Sequence, residues 1–313
     1  MALFATLAFL LVTINACEQE TPVTTATTTA QSLPALPDTL NAAAADSLLG
    51  FFASESQANL VADFFYTEPG RDSTRVISLA LNANQEAILF SKLEQALQDT
   101  GSAVELHLHL ALRTLDHTAL SSEDLNLVPL LEIFQDSTTY DGIFYPLHRV
   151  ESLFLANFEE LYAWQDSTSL DCPVDEGCGG EEQVKIGVNC ARDMIEDWKD
   201  LPVDSILTKL YLEEEDTIPD YRIQYYAYEK GVETMLEYYQ NATSNEQDCY
   251  FYVHLGLWPS MDPRVPLRTI IHLDDNPMAL DQKPDEGGDD SAYFEFAKPC
   301  PPYCDTAKVT LYH

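Results

Sequence analysis

The sequence predicts an α+β fold: a tandem β-α-β-β repeat building antiparallel-rich sheet, with helices packed on it and disulfides linking it. Three observations predict this. Segments with period-2 alternation are interleaved with segments of helical period. Four short matches recur in the same order in both halves of the chain. Six cysteines lie beyond residue 171, an even number suited to three disulfides with fifteen alternative connectivities.

Taken in order, residues 38–66 read as a helix, with Asp38 or Thr39 as N-cap and apolar residues at helical spacing. A turn at Pro69-Gly70 leads to a strand over 75–81. A helix follows over 84–98 and ends at Thr100-Gly101. Residues 104–112 alternate cleanly and predict a strand, and 127–134 predict another. Further helices are expected over 147–164 and 190–212, split by a Cys- and Gly-rich loop at 172–180.

The second half repeats the order of the first. Arg222 to Tyr228 (RIQYYAY) matches Arg75 to Leu81 (RVISLAL), and Met235 to Gln240 (MLEYYQ) matches Lys92 to Gln98 (KLEQALQ). Val253 to Leu257 (VHLGL) matches Leu108 to Leu112 (LHLAL), and Val265 to Leu267 matches Val128 to Leu130. The repeat units are expected at 73–135 and 220–275, with a helical insert at 141–212, all within one globular domain at 38–313. A single apolar sheet face covered by a helix is what each unit needs. The units could join into one sheet or stand as two lobes.

Ala2 to Ile14 is almost wholly apolar, too short to span a bilayer but suited to the core of a signal peptide over 1–16. It ends in Ile14-Asn15-Ala16-Cys17, which resembles the lipobox of bacterial lipoproteins, with Asn15 and the absence of a preceding basic residue as departures. The resemblance implies that Cys17 carries lipid and becomes the N-terminus. Residues 17–37, rich in Thr, Ala and Pro, read as a disordered tether, because such a segment buries too little to offset its ordering entropy. Glu18 and Glu20 beside the Cys resemble the surface-export signal of Bacteroidetes lipoproteins. The implied address is the cell envelope: outer membrane, periplasmic side or cell surface.

The chain carries 52 acidic and 16 basic residues, a formal charge of -36. That argues against a nucleic-acid partner, which needs a basic footprint. The membrane is therefore reached through the lipid anchor alone. The disulfide candidates are Cys172, Cys178, Cys190, Cys249, Cys300 and Cys304. Close spacing suggests Cys172 with Cys178 and Cys300 with Cys304, leaving Cys190 with Cys249. Asp followed by Ser or Thr and a small, aliphatic or Thr residue recurs at Thr39, Ser47, Ser73, Ser137, Ser167, Ser205, Thr217, Ser291 and Thr306. This resembles the O-glycosylation acceptor of exported Bacteroidetes proteins, and equally marks turns and helix starts.

Candidate chemistry is sparse. On the 104–112 strand Glu105, His107 and His109 point away from the apolar face, onto a solvent-facing or loop-covered surface. Two His at i, i+2 with a cross-strand carboxylate such as Glu132 would suit zinc. His148 and Glu151 have ligand spacing on the expected helix. The acidic, Gly-containing residues 281–290 would suit calcium without matching an EF-hand. No motif implies a cofactor. Tyr252, His254 and Trp258 share one strand face and belong to an aromatic-rich second half that could line a recognition surface. There is no GxSxG, HExxH, P-loop or GxGxxG after a strand. The expectation is a non-catalytic module binding protein, peptide or glycan. The alternatives are a metal-dependent hydrolase using His107 and His109, and a structural envelope protein.

Overall fold

A computed structural model describes residues 33, 35–67, 73–99, 103–120, 124–135, 138–150, 185–186, 194–195, 197–212, 221–228, 231–244, 249–257, 267–274, 292–294 and 297–300. The leader, Cys17, Cys172, Cys178, Cys190, Cys304, Glu151, Trp258 and residues 281–290 lie outside this set.

Asn41 starts the first helix, α1 (Ala42–Ser54), by accepting a hydrogen bond from Ala44 N at 3.0 Å. The single helix expected over 38–66 stops there. Ser56 caps a one-turn helix, Gln57–Leu60, then residues 62–64 turn tightly and Phe65–Thr67 is strand β2. The apolar spacing was compatible with one helix, but the Ser56 hydroxyl offers a new start. The domain also begins earlier than expected. Leu33 N donates to Asp124 Oδ2, and Leu36 packs on the cluster of Leu40, Ala45, Leu49 and Phe144.

Asn82 and Gln85 exchange side-chain and backbone hydrogen bonds, a reciprocal cap that fixes the start of α2 (Ala83–Gln98). A third helix, α3, spans Val232–Ser244. The remaining strands are β1 (Leu40–Asn41), β3 (Ser73–Arg75), β4 (Ser78–Ala80), β5 (Val104–His109), β6 (Leu130–Gln135), β7 (Thr138–Pro146) and β8 (His148–Arg149). They continue with β9 (Lys185–Ile186), β10 (Tyr211–Leu212), β11 (Tyr221–Arg222), β12 (Tyr225–Tyr228), β13 (Tyr250–Leu257), β14 (Leu267–Asp274), β15 (Ala292–Phe294) and β16 (Ala297–Cys300).

The fold is mixed helix and antiparallel sheet, with two six-stranded sheets. One runs β1-β7-β6-β5-β12-β16 and the other β8-β4-β13-β14-β15-β9. Two ribbons, β2-β3 and β10-β11, stand beside them. The helical insert expected from residue 141 is corrected at its start: β7 and β8 are strands, and His148 sits on β8 rather than on a helix. Against the helix expected over 190–212, residues 211–212 also form strand. β7 was obscured because Gly142, at φ 69°, interrupts its alternation where the pairing with β6 shifts register.

Neither expected unit closes a sheet by itself. β12, from the second half, pairs with β5 of the first: Tyr225 faces His109 and Tyr228 faces Leu106. β4, from the first half, pairs with β13 of the second: Ser78 faces His254 and Ala80 faces Tyr252. The flanking backbone bonds match as well. Leu110 N donates to Gln224 O, and Leu255 N to Ile77 O. Val76 N donates to Phe64 O, and Ile223 N to Leu210 O.

One core fills the space between the inner sheet faces and the helices, drawing on Leu106, Leu108, Val253, Leu255, Leu89 and Met235. Glu86 of α2 accepts from Phe251 N at 2.7 Å and so fixes the helix on β13. Tyr226 and Tyr228 span between sheets, their hydroxyls donating to Leu267 O and Thr269 O. Among the described residues no disulfide is present; Cys249 is buried and Cys300 ends β16. No described helix is long and apolar enough to cross a membrane.

Candidate functional site

Strand alternation places Glu105, His107 and His109 on the face of β5 opposite Leu106 and Leu108. The β5-β6 register sets Glu132 directly across from His107. The three expected ligands therefore do converge. One ligand atom each from His107, His109 and Glu132 lies within 4.8 Å of the others. His109 Nε2 is 2.6 Å from Glu132 Oε1, and His107 Nδ1 is 3.5 Å from the same oxygen. His107 Nε2 is 2.8 Å from Glu105 Oε2. Phe134 stacks on His107, and Tyr225 lies beside both imidazoles.

Of the two surfaces expected here, solvent-facing or loop-covered, the first is excluded, for this face is as buried as the other. His107, His109 and Glu132 are 2%, 1% and 0% exposed. Burial alone would raise the Glu132 carboxyl, but its contacts with His109 and His107 outweigh this and hold it at about 2. Burial opposes charge on His107 too, yet hydrogen bonds to Glu105 and Glu132 raise it above the usual histidine value. A carboxylate oxygen already approached by two imidazoles, one of them also bound by a second carboxylate, belongs to a buried polar network. It is a poor water-activating centre, because its lone pairs already have partners.

In the other sheet His254 of β13 hydrogen-bonds Ser78 Oγ at 2.7 Å and His272 Nδ1 at 3.1 Å. Burial pushes His254 well below its usual value and His272 down to about 3, so this pair is neutral. Tyr252 lies beside both rings and is 4% exposed. Of the aromatic residues put forward as a recognition surface, Tyr238, Tyr239 and Tyr250 are half-buried, whereas those of the central strands lie inside. Tyr225, Tyr226, Tyr228 and Tyr252 are all buried. Leu49 of α1 packs with Leu130 and Phe144 of the first sheet, and Met194 lies against Gly256 of the second. The large apolar residues exposed among those described are Leu115 and Val203.

A second cluster was not anticipated from the sequence. Glu55 ends α1, Asp63 sits in the turn at 62–64, and His117 lies in the connection after β5. His117 Nε2 is 3.1 Å from Glu55 Oε2, and His117 Nδ1 is 3.6 Å from Asp63 Oδ1. Asn126 Nδ2 donates to Asp63 Oδ1 at 2.7 Å. Burial pushes the Asp63 carboxyl up to about 6, against the lowering effect of Asn126. Burial also raises Glu55, but hydrogen bonds from His117, Ser56 N and Asn59 leave it below the usual carboxylate value. No sequence motif could have shown this trio, since its members come from three separate connections.

Comparison with family models, curated proteins and solved structures finds no match to this chain.

Proposed function

We propose that this chain is a lipid-anchored extracytoplasmic module that binds a protein, peptide or glycan and is not a hydrolase. The anchor rests on the lipobox-like Ile14 to Cys17 and the Thr- and Pro-rich segment after it. The non-catalytic reading is carried by one observation: His107, His109 and Glu132, the residues a metal hydrolase would use, are sealed from solvent. A substrate must bring its scissile bond within about 3 Å of a metal-bound water or general base. Side chains at 0–2% exposure, paired with one another, leave no such approach.

We also read the domain as an internal duplication in which the two β-α-β-β units exchange their first strands. The reciprocal pairings of β4 with β13 and β12 with β5 support this reading, as do the matched backbone bonds flanking them. Exchange joins the units into one cooperative body. With a formal charge of -36, the chain offers a partner a surface of acidic character, which favours a ligand presenting positive charge.

The test uses the full-length chain in a bacterial host that processes lipoproteins. Wild type is expected in the membrane fraction, labelled by fed fatty acid, and Cys17→Ser is expected unlabelled and retained as precursor or released. Purified wild type should show no esterase, phosphatase or peptidase turnover above that of His107→Ala. Label on Cys17→Ser would remove the anchor. Turnover abolished by His107→Ala would establish the hydrolase alternative instead.

A further inference from the structure

We propose that Glu55, Asp63 and His117 form a binding site for a divalent transition-metal ion, with zinc as its type. One nitrogen of His117 and one oxygen from each carboxylate lie within 4.8 Å of one another. Ligands around a tetrahedral zinc at about 2.0–2.2 Å sit roughly 3.4 Å apart, so small side-chain rotations would close the set. An imidazole with two carboxylates suits zinc or a neighbouring transition ion better than calcium or magnesium, which favour oxygen ligands alone.

The carboxylates are oriented as ligands are. Glu55 Oε1 is held by Ser56 N at 2.7 Å and Asn59 Nδ2 at 3.2 Å, which turns Oε2 toward His117. Asp63 Oδ1 is held by Asn126, whose own oxygen is fixed by the backbone amides of Arg113 and Thr114. Asp63 Oδ2 is fully buried and has no hydrogen-bond partner. The Asp63 side chain is 0% exposed and that of Glu55 is 3%. A buried carboxylate oxygen without a partner is a costly arrangement that a cation would relieve. Outer partners that hold one oxygen and aim the other, as Ser56 and Asn59 do for Glu55, are characteristic of metal sites.

Charge points the same way. Two buried carboxylates face a single imidazole, so even a protonated His117 leaves negative charge uncompensated. Arg222, nearby, directs its hydrogen bonds to the carbonyls of Phe52, Ala53 and Glu55 and to the Tyr211 hydroxyl. His117 is 29% exposed, giving an ion a way in from solvent. The scaffold does not require the trio. By the matched backbone bonds of Phe64 and Leu210, Lys209 stands where Asp63 would be in the second half. The matched arginine bonds to Glu55 and Leu201 put an apolar residue in place of the other carboxylate.

The test takes the full-length protein in detergent, oxidised and stripped with chelator, then equilibrated with zinc. Metal content after gel filtration and the thermal midpoint are read together. Wild type is expected to retain about one zinc per chain, with a midpoint rise of about 5 °C at a hundredfold excess over Kd. His117→Gln, at a partly exposed position, should fold normally and lose both the ion and the shift. Asp63→Asn should do the same. His107→Gln, in the sheet cluster, should keep them. Absence of zinc from the wild type overturns the proposal, as does its retention by His117→Gln or its loss in His107→Gln alone.

Discussion

Arg75 and Arg222 each cap a helix end belonging to the other half of the chain. The Arg75 guanidinium donates to the carbonyls of Trp198 and Leu201, and the Arg222 guanidinium to those of Phe52 and Glu55. Each also lies over aromatic rings, Phe65 and Trp198 for Arg75, Phe52 and Tyr211 for Arg222. The last carbonyls of a helix have no intrahelical donor, and a cation there also meets the negative end of the helix dipole. Only a five-donor planar fork can serve two carbonyls while stacking on a ring.

Removing either arginine should therefore cost a similar amount. Arg75→Ala and Arg222→Ala are each expected to lose roughly 2–4 kcal/mol, from orphaned carbonyls and lost packing. Urea unfolding measures this. A near-neutral effect at one position and a large one at the other would sink the idea that the two perform matching tasks.

His107 in one sheet and the His254–His272 pair in the other should respond to pH with opposite signs, while Glu132 follows the pair. Glu132 is held at about 2 against an unfolded value of 4.5, so its contribution is present above 4.5 and lost as pH falls toward 2. His107 is raised above its unfolded 6.5, so its contribution is present below 6.5 and lost as pH rises through the higher folded value. His254 and His272 are depressed: the unfolded chain binds their protons below 6.5 while the folded one does not. Stability from that pair is lost as pH falls below 6.5, for His272 over the range toward about 3. Urea midpoints against pH should show His272→Gln flattening the acid limb between 6.5 and 4, and Glu132→Gln lowering stability by roughly 3–5 kcal/mol at pH 6. An acid limb unchanged in His272→Gln would contradict the assignment.

Gly256 should not tolerate a methyl group. A Cβ there would lie 3.1 Å from Ile270 Cδ1 and Met194 Cβ and 3.2 Å from the Met194 backbone carbon. Gly256→Ala is expected to destabilise by about 1–3 kcal/mol, since backbone cannot rotate away as a side chain can. At the position matched in sequence, Ala111 is accommodated fully buried. Thermal unfolding of Gly256→Ala checks this, and an unchanged midpoint would show that the segment carrying Met194 yields.

The sequence by itself determined the fold class, the extent of α2 to within a residue and a strand beginning at 104, and it put Glu132 forward as one cross-strand partner of His107. These rest on local causes: a reciprocal Asn82–Gln85 cap, period-2 alternation, and adjacency of neighbouring strands. Tertiary structure alone decided which strands pair. Alternation says that a strand has two faces, not whose edge it meets, so the crossing of β4 to β13 and β12 to β5 was not legible. Burial of the His107 face was hidden for the same reason: a polar side chain looks identical in sequence whether water or a carboxylate satisfies it. Glu55, Asp63 and His117 were invisible because long-range folding, with no periodic signal, brings three connections to one point.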